Sequence, residues 1–398
     1  MSDKITKSPQ IRFAGFTDAW EQWKLGDMLK EFSIKTKTEN EYPVLSSTNS
    51  GMEIRNGRVS GTSNLGYKII EDGDLVLSPQ NLWLGNINVN DIGKGLVSPS
   101  YKTFKFVDLD SQFIEPQLRL PRMMEEYKNA STQGASVVRR NLELESFYQI
   151  PIRVPSWKEQ KKIGSFSKQL DDTITLHQRE LELLKDTKKS LLQKMFPKDG
   201  SNVPEVRFAG FTDAWEQRRL GELYIERKER GDDSLQILSV SIHHGVSNEE
   251  LDSNTLGKKV RRSEDKSLYK HVYYGDLVLN MMRAWQGSIG VVKSEGMVSP
   301  AYITATPSSE LYPLFMDYCL RRVETISQID NLSYGVTDFR KRLYWDSFIN
   351  VICEIPSIPE QKMITDFFTH LDNLITLHQR ELNSLKNLKK SLLQQMFI

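Results

Sequence analysis

The sequence is poor in cysteine and has no long hydrophobic run. Cys319 and Cys353 are its only cysteines, which excludes a disulfide framework or a four-cysteine metal site and suits a reducing compartment. No apolar run approaches the length of a membrane span, and the first ten residues, MSDKITKSPQ, are too polar for a secretory signal. We therefore expect a cytoplasmic protein with no membrane partner.

Motifs for nucleotide, metal or methyl-donor chemistry are also absent. The sequence contains no GxxxxGK[ST], HExxH or CxxC, and no adjacent prolines, which excludes the Pro-Pro tetrapeptide of amino-methyltransferases. His243 and His244 lack a third ligand at a recognisable spacing, so we expect them in a loop. Glu159 and Glu360 begin E-x-K triplets as in nuclease sites, but a place in the first helical turn favours capping. The sequence predicts no catalytic residue, no metal site and no cofactor of its own.

Charge gives no direct argument for nucleic acid. Lysine and arginine number 53 against 52 acidic residues, a net charge of +1, and 38% of residues are hydrophobic. This composition is typical of a globular protein, and 398 residues allow two or three domains. Any basic surface must therefore arise from local patterning.

What the sequence does contain is an internal repeat. Five phrases recur in the same order: RFAGFTDAWEQ (12–22 and 207–217), GDLVL (73–77 and 275–279), VSPSY or VSPAY (97–101 and 298–302), ITLHQREL (174–181 and 375–382) and KKSLLQ (188–193 and 389–394). The ends of each half are nearly identical, whereas the middles share only scattered Gly, Asp, Leu, Val and Trp residues. Recent duplication alone would give even divergence. We expect the identical parts to meet identical partners and the diverged parts to meet different ones.

The repeat predicts five segments and an α+β fold class. Segments of the middles such as GDLVL are short, β-rich and punctuated by glycine, which indicates small sheets with long loops. The segments are a first globular domain with its N-terminal phrase (1–155), a long helix (156–196), a linker (197–205), a second globular domain (206–356) and a second long helix (357–398).

Each long helix has an apolar heptad row, which is typical of a coiled coil. The predicted seam is Ile163, Leu170, His177, Leu184 and Leu191 in the first helix and Ile364, Leu371, His378, Leu385 and Leu392 in the second. Two matched helices in one chain are predicted to pair antiparallel, and at 1.5 Å per residue each extends about 55 Å. We interpret His177 and His378 as polar seam residues that set register rather than as metal ligands.

The loops of both middles contain side chains suited to DNA. Arginine pairs with guanine and asparagine with adenine, while lysine and serine reach phosphates; simple solvation is the alternative. The candidate contacts are Ser47, Asn49, Arg55, Arg58, Asn81, Asn86, Arg139 and Arg140 in the first half, and Arg227, Lys228, His243, Lys258, Lys259, Arg261, Arg262, Asn280, Arg283, Ser333, Tyr334, Arg340 and Lys341 in the second. Trp83 and Trp285 occupy matched positions, which favours core packing.

The opening phrase is predicted to be a scaffold first and a partner contact second. Gly15 and Gly210 permit a tight turn, and the D-A-W-E spacing that begins at Asp18 and Asp213 predicts a short capped helical turn. The aromatic residues of the phrase are expected to pack that turn against the long helices: Phe13, Phe16, Trp20, Phe208, Phe211 and Trp215.

This doubled order of motifs resembles the specificity subunit of type I restriction–modification enzymes over about residues 10–397. The resemblance implies two target-recognition domains separated by two long antiparallel helices, reading an asymmetric bipartite DNA site. It implies partners: two modification (methyltransferase) subunits and restriction subunits that translocate and cut DNA. S-adenosylmethionine, ATP and Mg²⁺ would be used by those partners for adenine-N6 methylation or cleavage, and the helices would set the gap.

Two other functions compete with this one. A non-enzymatic coiled-coil scaffold would use its end domains to bind protein or glycan. An enzyme in its own right is disfavoured by the missing catalytic motifs.

Overall fold

The computed structural model of the chain describes residues 8–55, 63–136, 139–198, 200–242, 245–247, 267–335 and 341–397. Several candidate DNA contacts lie outside the described residues: Arg58, His243, Lys258, Lys259, Arg261, Arg262, Arg340 and the side chain of Arg139. The chain divides into two compact units, Met1–Arg179 with Gln379–Ile398, and Glu180–His378.

The first unit is built around a four-stranded antiparallel sheet in the order β2-β9-β6-β7. Three further strand pairs, β1-β12, β3-β4 and β5-β8, and the hairpin β10-β11 complete it. Its elements are β1 (Glu21–Lys24), α1 (Leu25–Met28), β2 (Leu29–Phe32), β3 (Leu45–Ser47), β4 (Met52–Ile54), β5 (Lys68–Ile70), β6 (Leu75–Leu77), a 3₁₀ turn (Leu82–Leu84), β7 (Ile87–Val89), β8 (Gly95–Val97), β9 (Lys102–Phe106), α2 (Ser111–Leu118), α3 (Pro121–Asn129), β10 (Ser131–Ser136), β11 (Arg139–Leu142), α4 (Leu144–Tyr148) and β12 (Pro151–Val154).

The second unit repeats this topology, with its four-stranded sheet in the order β14-β21-β18-β19. Its elements are β13 (Glu216–Arg219), α6 (Leu220–Leu223), β14 (Tyr224–Glu226), β15 (Ser239–Ser241), β16 (Gly245–Ser247), β17 (Lys270–Val272), β18 (Leu277–Asn280), a 3₁₀ turn (Ala284–Gln286), β19 (Ile289–Val291), β20 (Gly296–Val298), β21 (Tyr302–Pro307), α7 (Phe315–Cys319), α8 (Val323–Leu332), α9 (Trp345–Phe348) and β22 (Ile352–Ile355). The predicted α+β class is confirmed.

The repeated GDLVL phrase forms one of the two central strands of each sheet. Leu75–Leu77 and Leu277–Leu279 are fully buried on both faces, which explains why this segment is a continuous apolar run rather than an alternating one. Gly73 and Gly275 precede them with φ of 82° and 91°, a left-handed conformation that glycine adopts without strain. Core packing of the three apolar residues and the left-handed turn at the first glycine both account for the presence of this phrase in each half.

Two long helices are present, α5 (Trp157–Lys194) and α10 (Ile358–Met396). All ten predicted seam residues are buried or half-buried. Within the described ranges, no helix combines the length and the apolar character that crossing a lipid bilayer requires.

In each unit a segment of α5 runs antiparallel to a segment of α10. In the first unit Lys389 pairs with Asp171, and Phe397 joins the same core as Ile163. In the second unit the matched pair is Lys188 with Asp372, and Phe196 joins the same core as Ile364. The predicted antiparallel direction is therefore observed within each unit, and the coiled-coil seam as a whole remains a prediction.

Candidate nucleic-acid interface

Three loop segments of the first unit are tied together at one end of its sheet. They are the turn between β3 and β4, the loop from 78 to 86, and the hairpin β10-β11. Ser47 Oγ donates to Asn86 Oδ1 at 2.6 Å, which joins the first segment to the second. The Leu142 amide donates to the Pro79 carbonyl at 3.3 Å, which joins the second to the third. All three segments contain candidate DNA contacts.

The second unit joins the corresponding three segments at corresponding positions. Ser288 Oγ donates to the Val240 carbonyl at 3.0 Å, and the Leu343 amide donates to the Met281 carbonyl at 2.9 Å. The two units therefore share a framework that gathers the same three segments, while the residues displayed on it differ.

Some candidates of the first unit support the loops from inside. Ser47 is 2% exposed and its hydroxyl binds Asn86. Arg140 is half-buried, and its Nη2 donates to the Ser131 carbonyl at 2.8 Å, so it fixes the β10-β11 hairpin. Asn49 and Arg55 are exposed. Asn81 is half-buried, and its carbonyl accepts hydrogen bonds from the amides of Leu84 and Asn86 in the same loop.

The basic run ERKER does not form a positive patch in the described structure. Arg227 binds the buried Asp276 through Nε and Nη2 at 2.7 and 3.2 Å, and Glu229 at 3.1 Å. Lys228 pairs with Glu226 at 2.9 Å. Burial raises the pKa of Asp276, and Arg227 opposes this shift. Arg227 therefore anchors β14 to the turn before β18.

The remaining candidates of the second unit divide between support and exposure. Ser333 is buried and donates to the Ile329 carbonyl at 2.7 Å, and Lys341 pairs with Asp330 at 3.0 Å. Asn280 accepts from the Met282 amide at 3.0 Å, which shapes the loop. Arg283 is exposed.

Tyr334 presents the most exposed aromatic ring among these candidates. It is 53% exposed and stacks on Tyr344 with 4.9 Å between ring centroids. Sequence reasoning missed Tyr344 and also Met282, which is 47% exposed beside Arg283. For Met282, the sequence offered one signal, a methionine directly before an arginine in a loop that is repeated in the other half.

The predictions for Trp83 and Trp285 agree with their packing, because both indoles are partly buried against the main core of their unit. Trp285 Nε1 also donates to the Met282 carbonyl at 2.9 Å.

The repeated opening phrase binds the first turn of one long helix. Arg12 donates through Nε and Nη2 to both carboxylate oxygens of Glu159 at 2.7 Å. Arg207 binds Glu360 in the same way at 2.7 and 2.8 Å, and this hydrogen bonding raises the pKa of Arg207. Both glutamate side chains are 1% exposed. The glutamate of each nuclease-like triplet is thus one partner of a buried ion pair.

The residue before the phrase and the tryptophan within it contact the end of the other long helix. The Ile11 amide donates to the Gln395 carbonyl at 3.1 Å, and the Val206 amide donates to the Lys194 carbonyl at 2.9 Å. Trp20 packs against Phe397 and Trp215 against Phe196, with ring centroids 6.2 and 5.6 Å apart. The phrase joins two helix ends in each unit, which is the scaffold role predicted for it.

The prediction of a short helical turn within the phrase is wrong. Residues Glu21–Lys24 and Glu216–Arg219 are strands that pair with Pro151–Val154 and Ile352–Ile355. Backbone pairing with a distant strand outweighs the local capping signal, which contributes only about 1 kcal/mol. The tight turns predicted at Gly15 and Gly210 are present, and the φ values of these glycines are 91° and 94°.

The glutamine that follows each glutamate joins helix and domain. Gln160 accepts from the Asp110 amide at 2.9 Å and donates to the Pro155 carbonyl at 3.1 Å. Gln361 makes the matched bonds to Tyr312 and Pro356 at 2.7 and 2.8 Å. This explains why the pair Glu-Gln is repeated at both helix starts.

Comparison with known proteins agrees with this architecture. Residues 17–186 match the family of the type I restriction modification DNA specificity domain. The type I restriction enzyme MjaVIII specificity subunit of Methanocaldococcus jannaschii is 22% identical over 94% of this chain and 91% of its own length. The type I restriction–modification system S subunit from M. genitalium has a similar fold, with a TM-score of 0.60, 13% identity and coverage of 98% and 99% of the two chains.

The chain is therefore similar to type I specificity subunits, with a family match over residues 17–186 and a similar fold over most of its length.

Proposed function

We propose that this chain is the DNA sequence-recognition subunit of a type I restriction–modification complex. Each globular domain reads one half of an asymmetric bipartite site. The observation that supports this most directly is the shared framework, which gathers three loop segments in both units but displays different side chains. Among the described candidates, Asn49 and Arg55 in the first domain and Arg283 and Tyr334 in the second are exposed to contact DNA, and Lys228 is exposed but paired with Glu226.

Chemistry belongs to the partners in this proposal. Methyltransferase and restriction subunits perform adenine-N6 methylation or cleavage and use S-adenosylmethionine, ATP and Mg²⁺. The chain itself selects the site. We further propose that two modification subunits dock, because the segments available for docking occur twice, and that the long helices set the unread gap.

A repeated exposed leucine supports the docking proposal. Leu176 and Leu377 occupy the same place in the two copies of ITLHQREL and are 57% and 51% exposed. Burial of such a side chain contributes about 1.5–3 kcal/mol. An apolar residue preserved in both copies on an exposed helix face is suited to a contact made twice with the same partner.

Replacing Leu176 and Leu377 together by Asp should weaken the complex with the modification subunit about 10- to 100-fold per site, since 1.4 kcal/mol is about tenfold in affinity. Leu183→Asp is the matched control, because Leu183 is 67% exposed but its counterpart is Ser384. Analytical ultracentrifugation of the mixed subunits measures the effect. Equal weakening by the control, or unchanged binding of the double variant, would contradict the docking proposal.

The proposed function is tested by DNA binding of the complex with the modification subunit. Binding should be sequence-selective by a factor of about 10³ or more and should fall steeply with salt, because phosphate contacts release counterions. A protein- or glycan-binding scaffold would show neither property. The chain alone, incubated with DNA, S-adenosylmethionine and Mg²⁺, should give no methylation and no cleavage, and either product would overturn the assignment.

A further inference from the structure

One arginine in each unit binds the backbone of a hairpin turn. Arg119 follows α2, and its Nη2 donates to the Asn49 carbonyl at 2.5 Å in the turn between β3 and β4. Arg321 follows α7, and its Nη2 donates to the Ile242 carbonyl at 2.8 Å in the turn after β15. Both arginines are half-buried. Each guanidinium therefore donates a charge-assisted hydrogen bond to a backbone carbonyl of its own unit.

The two bound carbonyls are equivalent in the two folds. Leu45 packs against Gly95, the first residue of β8, and Leu238 packs against Gly296, the first residue of β20. Asn49 lies four residues after Leu45, and Ile242 lies four residues after Leu238. The same arginine contact is therefore made to the same point of both hairpins, although the residue there is asparagine in one and isoleucine in the other.

The space beside each arginine is filled differently. In the first unit Asn88, which is 1% exposed, accepts from Arg119 Nη1 at 3.0 Å and donates to the Thr48 carbonyl at 2.7 Å. In the second unit the matched residue is Gly290, where an added Cβ would lie 2.7 Å from the Val246 amide nitrogen. The second hairpin therefore lies directly against β19, whereas the first is held through an amide bridge.

Resting on the proposed function, we propose that Arg119 and Arg321 are positioning residues that orient the hairpins β3-β4 and β15-β16 as base-reading elements. The planar guanidinium fixes the direction of its donors more strictly than an ammonium does. Contacts to bases discriminate only when the side chains are held in place. Each arginine acts through its hairpin and on one half-site, and neither is a DNA contact itself.

The experiment uses the full chain in complex with the modification subunit and a panel of duplexes with every single base-pair change in both half-sites. Arg119→Gln should reduce the penalty for mismatches at least tenfold in one half-site and leave the other unchanged. Arg321→Gln should do the same in the opposite half-site. Each variant is the control for the other, because both remove one positive charge and one turn contact.

Three results would overturn the proposal. They are equal relaxation of both half-sites by either variant, unchanged discrimination in both, and uniform weakening on all sequences with a salt slope smaller by about 1, which would indicate a lost phosphate contact. Should Arg119→Gln fail to fold, Asn88→Ala removes the bridge to Thr48 without changing charge and must relax the same half-site. A wild-type complex without sequence selectivity would instead overturn the proposed function.

Discussion

Replacing Arg207 by Ala should lower the free energy of unfolding of the second unit by about 3–5 kcal/mol, because it leaves a buried carboxylate without its partner. Glu360 is 1% exposed and receives two short hydrogen bonds from Arg207. Full solvation of this carboxylate requires the first turn of α10 to separate from the opening phrase. Hydrogen exchange of the second unit, measured against denaturant, gives the change directly.

The repeat supplies the matched controls for this prediction. Arg12→Ala should destabilise the first unit by the same amount, since Arg12 and Glu159 have the same geometry and burial. Replacing Arg207 and Glu360 together by Met should recover most of the loss, because no unpaired charge stays buried. A loss below about 1 kcal/mol would place the pair among surface ion pairs and contradict a scaffold role for the phrase.

Exchange of residues 206–356 for the corresponding domain of a type I specificity subunit should change one half of the recognised site. Each mismatched base pair costs about 1–3 kcal/mol, so loss of a half-site lowers affinity for the original sequence by about 10³-fold or more. The inserted domain should contain arginine and tryptophan at the positions of Arg207 and Trp215. These two residues contact Glu360 of α10 and Phe196, which lie outside the exchanged segment. The other half-site and the gap should not change.

Methylation of DNA in cells that express the chimeric complex measures this result. The reciprocal exchange of residues 11–155 is the control and should alter only the opposite half-site. Recognition altered in both halves by either exchange would show that the two domains do not read independently.

Local and repeated features of the fold were predictable from the sequence. The GDLVL strands, the left-handed turns at Gly15 and Gly210, and the two long helices each depend on neighbouring residues or on heptad periodicity. Comparison of the two halves separated the preserved framework from the diverged loops. The α+β class follows from these features alone.

Long-range partners were not predictable in the same way. Arg12 binds Glu159, 147 residues away, and no local pattern marks either residue as part of an ion pair. Asp18 and Glu21 have a capping-box spacing, yet Glu21–Lys24 is a strand whose backbone pairs with Pro151–Val154. Both outcomes depend on which segments the tertiary fold brings together.

The candidate site shows the same division. Residue type alone placed Ser47 and Arg227 among DNA contacts, but Ser47 is buried and Arg227 is bound to Asp276. Arg119 was missed because its function depends on a loop 70 residues earlier. Chemical suitability identifies the loops, whereas the direction of each side chain depends on hydrogen bonds made across the domain.

Mapping methylated adenines genome-wide in cells that express this chain with its modification subunit tests the central claim most directly. The account predicts one motif made of two different short sequences, separated by an unread gap of fixed length, with one modified adenine in each half. A single uninterrupted motif, two identical halves, or the absence of any motif would contradict it.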